Sequence, residues 1–311
     1  MIDEALSYYD FKEPDTFLIR HNENMTYQVM DGNQKYLLRI HKSAEGLDFS
    51  SLCGHLPRQV YIESEIELLL RLNENSAIQL QAPVNNKFGT YVTRLSSGYY
   101  ATALTWIDGE ALTNMVITNE VVYEIGKLIG QLHNSVVKLP YINRYSYDEF
   151  MIDRAMSEIE KAYEEKHIGE RHHRYIWTYL LGLKEFIRKE KKNFIIVHAD
   201  YSKSNLILHE NQLIPIDFSL SGYSLPEMDL ADVCCSLNDR TILPKLIEGY
   251  QSVNRYKPNE LYISIYEALS IILYIAYHHS RFEQDEKAQR SLDRWTDAFF
   301  EPICKRMNLI I

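Results

Sequence analysis

The chain has 311 residues, 46% of them hydrophobic and 24% charged, with a net charge of −10. That is enough chain for a substantial core in two lobes of ordinary globular composition. The acidity argues against a nucleic-acid partner, which needs a basic stripe, and is compatible with a cationic small molecule.

Cys53, Cys234, Cys235 and Cys304 show no metal-ligand spacing and read as reduced thiols. The chain opens on acids, Met1-Ile-Asp-Glu, without the basic and apolar character of a leader. Its longest apolar stretch, around Leu269–Ala276, reads as too short for a membrane span. A cytoplasmic protein without membrane contact is expected.

Residues 2–9 read as a short helix, followed by strands at Thr16–His21, Met25–Asp31 and Lys35–His41. Asp31-Gly32-Asn33 joins the last two as a hairpin turn. Pro57 opens a helix to about Asn73, and strands follow near Gly89–Leu95 and Tyr99–Trp106. These elements predict a small antiparallel α+β lobe over 1–107. From Asn119 the apolar period changes to that of helices, near 119–136, 147–166 and 171–190. Short apolar runs at 194–197, 206–208 and 213–216 read as buried strands, and helices resume near 227–238, 241–253, 258–280 and 284–307. A larger, mainly helical lobe over 108–311 is expected.

Polar residues fall where the three buried runs end. Phe194-Ile-Ile-Val-His198-Ala-Asp200-Tyr-Ser-Lys-Ser-Asn205 is followed by Leu213-Ile-Pro-Ile-Asp217-Phe218. This spacing suits phosphoryl transfer: one Asp orients a hydroxyl and takes its proton, while an Asn and a second Asp hold magnesium against a triphosphate.

Together with Trp106-Ile-Asp-Gly-Glu110, Gln131-Leu-His133 and Pro226-Glu-Met-Asp-Leu-Ala231, these segments resemble the aminoglycoside phosphotransferase and choline kinase superfamily. These are small-molecule kinases with a protein-kinase-like two-lobe fold. The resemblance implies Asp200 as the base, Asn205 and Asp217 as magnesium ligands, and His198 as an anchor of the catalytic loop. Asp229 would brace that loop, and Lys203 is a candidate for touching the transferred phosphate.

On the nucleotide side, strand alternation sets Arg39 on the face opposite Tyr36, Leu38 and Ile40, in the place of the kinase strand lysine. Its expected partner is Glu65, which shares a helical stripe with Leu69 and Leu72, rather than Glu63 or Glu67. The loop His21-Asn22-Glu23-Asn24-Met25 stands where a phosphate-covering loop belongs but has no glycine, leaving Asn22 and Asn24 as its candidates. Thr105 and Ile107, in the connector, would offer backbone groups to adenine.

The acceptor is expected to be a small molecule with a hydroxyl, phosphorylated from ATP (GTP not excluded) with Mg2+, by a monomer or homodimer. Tyr274, Tyr277, His278, Arg281, Phe282 and Trp295 form an aromatic and basic set that reads chiefly as core. Asp148, Glu149 and Asp153 read as a solvated helix face. The doublets His172-His173 and His278-His279 have no carboxylate or thiol at ligand spacing along the chain, so no metal is expected there. Two rival readings stay open: a protein kinase, for which the seven or so residues between Phe218 and Pro226 leave little room to dock a peptide, and a non-catalytic scaffold of the same fold, such as a spore-coat component.

Overall fold

The computed structural model describes residues 1–22, 24–44, 56–282 and 286–309. Cys53 lies outside them, as do Glu23 of the glycine-free loop and the side chain of Arg281.

The first elements are α1 (Ile2–Ser7), β1 (Pro14–His21), β2 (Met25–Asp31), β3 (Gln34–Ile40), α2 (Arg58–Asn75), β4 (Pro83–Val84), β5 (Val92–Arg94), β6 (Tyr100–Thr105) and β7 (Glu110–Ala111). They are followed by α3 (Asn119–Val136), α4 (Glu149–Glu164), α5 (Glu170–Glu190), β8 (Ile195–Val197), β9 (Leu206–His209), β10 (Gln212–Pro215) and β11 (Gly222–Ser224). The chain ends in α6 (Glu227–Leu237), α7 (Leu243–Val253), α8 (Glu260–His278), α9 (Glu286–Trp295) and α10 (Glu301–Arg306).

These elements form two compact units. One comprises residues 1–116, 135–145 and 204–221; the other comprises 117–134, 146–203 and 222–311.

In the first unit an antiparallel sheet runs β1-β2-β3-β6-β4, with β5 also on β6. Gly32, at φ 60°, supplies the left-handed residue of the β2–β3 hairpin. Alternation along β3 places Leu38 and Ile40 in a core with Ala5, Tyr9, Val29 and Ala103. Leu37 and Arg39 therefore face the other way. Helix α2 begins after Pro57, whose fixed φ suits a helix start. Its buried stripe is Ile62, Glu65, Ile66, Leu69 and Leu72, so a carboxylate sits among apolar residues.

A second small sheet, β10-β9-β7, belongs to the same unit. Glu210 and Asn211 both have positive φ and close the tight β9–β10 turn. Gly109 lets β7 approach β9: a Cβ there would stand 2.5 Å from the Leu208 carbonyl oxygen.

The second unit is helical apart from β8 and β11, which pair antiparallel. α3 and α7 meet at glycines: a Cβ on Gly126 would lie 2.0 Å from the Leu246 carbonyl oxygen, and one on Gly249 at 2.0 Å from that of Tyr123. That contact brings His133 on α3 against Tyr250 on α7, with His133 Nδ1 3.1 Å from the phenol oxygen.

The apolar run around Leu269 is longer than expected. Helix α8 has 19 residues and is long and apolar enough by composition to cross a membrane, with 56% of its apolar window buried inside the protein. It packs against α6 and α4, so apolar residues are needed around much of its circumference.

Candidate active site

The first unit contains a cavity of about 240 Å3 lined by the apolar Leu37, Trp106 and Ile107 and the polar Arg39, Asn205 and Asp217. Arg39 is only 4% exposed, and its charge is met on two sides. Its Nη1 donates to Glu65 Oε1 at 2.9 Å and its Nη2 to Asp217 Oδ1 at 3.0 Å. Burial works against the guanidinium charge, but Asp217 and Glu65 outweigh it and hold its pKa above the usual arginine value. Nearby His41 is buried beside Arg39 and Arg58 and is pushed well below the usual histidine range, so it is neutral at physiological pH. Its Nε2 lies 3.0 Å from the Thr102 hydroxyl. Glu63 and Glu67 are occupied locally, by Gln59 and Arg71.

A second arginine, not singled out in the sequence, reaches the same carboxylate: Arg20 Nη2 on β1 lies 2.7 Å from Asp217 Oδ2. Asp217 itself has a left-handed backbone, φ 64°, uncommon outside glycine and asparagine. The segment after it is gripped by Arg144, which is 3% exposed. Arg144 donates to the carbonyls of Phe218 (2.9 Å) and Ser221 (2.6 Å), to that of Ser219, and to Tyr61 O (2.8 Å) and Ser64 Oγ (3.1 Å) on α2. Its guanidinium also lies 4.6 Å from the Tyr61 ring centroid.

In the second unit, β8 delivers His198, Ala199 and Asp200. Ala199 is left-handed at φ 62°. Asp229, fully buried in the first turn of α6, pins this conformation by accepting from the backbone N–H groups of His198 (3.0 Å) and Ala199 (2.8 Å). Asp229 Oδ2 also lies 2.9 Å from His133 Nε2, which ties the α3–α7 contact to the loop. His198 is buried, stacks near Tyr201 at 4.6 Å between centroids, and lies with Nδ1 3.3 Å from the Asp200 N–H nitrogen. One turn further along α6, Asp232 accepts from the Tyr201 N–H. Burial first, then the charges of Asp200 and Asp229, push its carboxyl well above the usual range. The Lys203 N–H donates to Ser236 Oγ at 3.1 Å.

The remaining nucleotide-side candidates are placed unevenly. Ile107 lines the cavity. Thr105, expected to face a base, instead turns its backbone inward: its N–H donates to Ala82 O at 2.8 Å and its carbonyl accepts from Gln81 Nε2 at 3.0 Å. Asn22 and Asn24 form a tight turn, Asn22 N–H to Asn24 O at 3.2 Å, and neither is among the cavity's lining residues.

A second cavity, of about 470 Å3, lies within the helical unit and is lined by Cys235, Asp239, Arg240, Glu267, Tyr274 and Trp295 among others. The aromatic set expected as core thus also forms a wall: Tyr274 and Trp295 stand 6.0 Å apart by centroid and Phe282 and Trp295 6.4 Å. Asp148 caps α4 and meets Lys191, while Glu149 pairs with Arg188 and Asp153 with Lys184, a solvated ionic face.

This chain belongs to the phosphotransferase enzyme family, whose model (APH) matches residues 17–261. No curated protein matches the sequence. Solved structures of the same fold include the microcompartment-associated aminopropanol kinase, at 20% identity and TM-score 0.78 over 99% of this chain and 98% of that one. The amicoumacin kinase crystallised with AMP-PNP, Ca2+ and its antibiotic is 17% identical, with TM-score 0.77 over 97% and 92%. Choline kinase from Cryptosporidium parvum is 16% identical, with TM-score 0.65 over 97% and 92%. At these identities the likeness establishes the fold, which is the protein-kinase-like α+β architecture with an antiparallel sheet lobe and a helical lobe.

Proposed function

We propose that the protein transfers the γ-phosphate of ATP to a hydroxyl on a small, amine-bearing polar molecule. The observation that carries this reading is the buried Glu65–Arg39–Asp217 chain, of which Arg39 and Asp217 line one cavity together with Asn205. A buried guanidinium between two carboxylates is an expensive arrangement of the kind found at functional sites, and a cation on Asp217 would free its charge to meet a triphosphate. The apolar part of the cavity, Leu37, Trp106 and Ile107, suits a planar base.

Asn205 and Asp217 add hard oxygen donors to that lining, a set that fits Mg2+. When bound, the ion would neutralise charge on the phosphate oxygens. Arg39 would hold the triphosphate, and Arg20 would stand at its edge. Asp200 would orient the acceptor hydroxyl and take its proton as that oxygen bonds to the γ-phosphorus and the bond to the β-phosphate breaks, releasing ADP. The acceptor is assigned to the helical unit's cavity. There the carboxylate of Asp239 and the faces of Tyr274 and Trp295 suit an ammonium group, beside Glu267 paired with Arg240.

The test is a transfer screen of purified protein with Mg2+-ATP and Mg2+-GTP against amino alcohols, sugars and aminoglycosides, reading phosphorylated product by mass spectrometry. At least one acceptor should be phosphorylated, and Asp200→Asn should lower its turnover about a thousandfold while nucleotide still binds. Nucleotide binding with no transfer to any acceptor, or equal turnover in Asp200→Asn, sinks the reading.

A further inference from the structure

We propose that Glu165, His167 and His279 form a binding site for a divalent transition-metal ion, best matched by Zn2+, that staples the C-terminal ends of α4 and α8. The second half of the doublet His278-His279, which has no ligand partner along the chain, finds two across the fold. His167 Nδ1 and His279 Nδ1 face each other at 2.7 Å, and Glu165 Oε2 stands 3.4 Å from the first and 3.6 Å from the second. All three ligand atoms lie within 4.8 Å of one another. Ligands on a tetrahedral ion with bonds of about 2.0–2.1 Å are about 3.3–3.4 Å apart, so opening the histidine pair by roughly half an ångström completes the set. Two imidazoles and one carboxylate leave a fourth position for water, the donor set that borderline-soft ions prefer.

The surroundings favour a cation at this point. Glu165 is the C-cap of α4 and His279 the C-cap of α8, so two helices direct the negative ends of their dipoles at the cluster. Both histidines are 7% exposed, and among the described residues Glu158 and Glu165 set two carboxylates against Lys161 around His279. Glu158 Oε2 lies 3.9 Å from Nε2 of His279, on the far side of the ring, where a carboxylate orients a ligating imidazole. Gln289 Nε2 donates to the carbonyls of His167 (3.0 Å) and Phe282 (2.9 Å), tying the two ligand-bearing segments together. Lys166, between Glu165 and His167, is left-handed at φ 63°, and the side chains on either side of it meet at 3.4 Å. An ion between the rings would engage the Nδ1 lone pair of each.

The site is separate from the proposed nucleotide chemistry, and its test does not depend on activity. Tag-free full-length protein, stripped with chelator and dialysed, is titrated with ZnCl2 by calorimetry, with bound metal counted by mass spectrometry. Wild type and Asp217→Asn should each bind one equivalent, and Glu165→Gln should bind at least tenfold more weakly. Zinc should raise the Tm of wild type by several degrees and that of Glu165→Gln by much less. Glu165 is a half-exposed surface side chain, so its substitution leaves the fold intact even if His279→Asn does not. Cobalt(II) in wild type should give the intense visible absorption of tetrahedral ligation. Equal zinc affinity in Glu165→Gln and wild type, or an equivalent lost in Asp217→Asn, overturns the proposal.

Discussion

Arg20 and Asp217 meet through Nη2 and Oδ2 at 2.7 Å, while Arg39 holds the other oxygen of the same carboxylate at 3.0 Å. One acidic side chain thus has a guanidinium on each oxygen. The two contacts differ in environment, since the Arg20 side chain is 43% exposed and that of Arg39 only 5%. Arg20 is the contact that a metal ion at Asp217 can displace at small cost, because exposed pairs contribute about 1 kcal/mol or less. In Arg20→Gln, half-maximal nucleotide affinity should therefore come at a Mg2+ concentration about two- to fivefold lower. Metal-free nucleotide should bind more weakly. Calorimetric titrations with Mg2+ and with EDTA separate the two effects; an unchanged magnesium dependence would show that Arg20 does not compete for Asp217.

Removing the carboxylate tests the buried side of the same network. Asp217→Ala should abolish the magnesium-dependent part of nucleotide affinity. It should also leave Arg39 with Glu65 alone, and breaking a buried pair costs about 3–5 kcal/mol. Urea unfolding should show that loss in the midpoint with an unchanged m-value. Arg39→Met in the same background should lower the stability further, because it leaves the buried Glu65 carboxylate without its guanidinium.

Asp229 holds a loop that would otherwise relax. In Asp229→Ala the N–H groups of His198 and Ala199 and the His133 imidazole all lose their acceptor. Each buried unsatisfied group costs about 1–3 kcal/mol, so a total loss of about 3–9 kcal/mol is expected by denaturant unfolding. Amide exchange at Ala199 should accelerate most. Protection unchanged at that amide would mean the strained conformation is held by something else.

The carboxyl of Asp232 carries a pH signature. An unfolded chain ionises it near the ordinary aspartate value of 3.8, whereas in the folded chain burial, then Asp200 and Asp229, keep the proton to higher pH. The folded state thus binds the extra proton, and this group's contribution to stability is lost as pH rises through its folded pKa. Asp232→Asn keeps an acceptor for the Tyr201 N–H and removes the titration. Its stability relative to wild type should grow as pH rises above about 4, by up to about 1.4 kcal/mol per pH unit until the folded pKa is passed. A constant difference across that range would place the Asp232 pKa near its ordinary value.

Packing between α3 and α7 makes a prediction from geometry alone. An alanine Cβ at Gly126 would sit 2.0 Å from a backbone oxygen, which no rotamer relieves. Gly126→Ala should therefore destabilise by about 2 kcal/mol or more, despite alanine's better helix propensity. Gly169→Ala, where the nearest atom is 3.9 Å away, should change stability by less than about 0.5 kcal/mol. Thermal unfolding of the two variants gives the comparison.

What could be read from the sequence was local. The β2–β3 hairpin announces itself through period-2 alternation and Asp31-Gly32-Asn33, and the Arg39–Glu65 contact follows from one strand face and one helix stripe. The loop motif from His198 to Asp217 is contiguous in the chain and was legible for that reason. The strands β4, β7 and β11 were not: two or three residues carry no period, and β7 exists only because Glu110 lies opposite Leu208. Arg20 sits on a strand whose residues are mostly exposed, which gives no hint of a carboxylate nearly two hundred positions away. Arg144 lies in a stretch without periodicity, and its partners are backbone carbonyls, which no side-chain pattern reveals. The backbone of Thr105 is engaged by Ala82 and Gln81, contacts that depend on where the connector lies in space.

Helix α2 is joined to the Asp217 segment twice, through Glu65 by way of Arg39 and through Tyr61 and Ser64 by way of Arg144. In protein kinases the equivalent helix is a control lever: swinging it away breaks the ion pair and silences the enzyme. Here that swing would strand two buried guanidinium groups and several backbone carbonyls at once. The two arginines thus weld α2 to the segment that carries Asp217, so a displacement at either end is felt at the other.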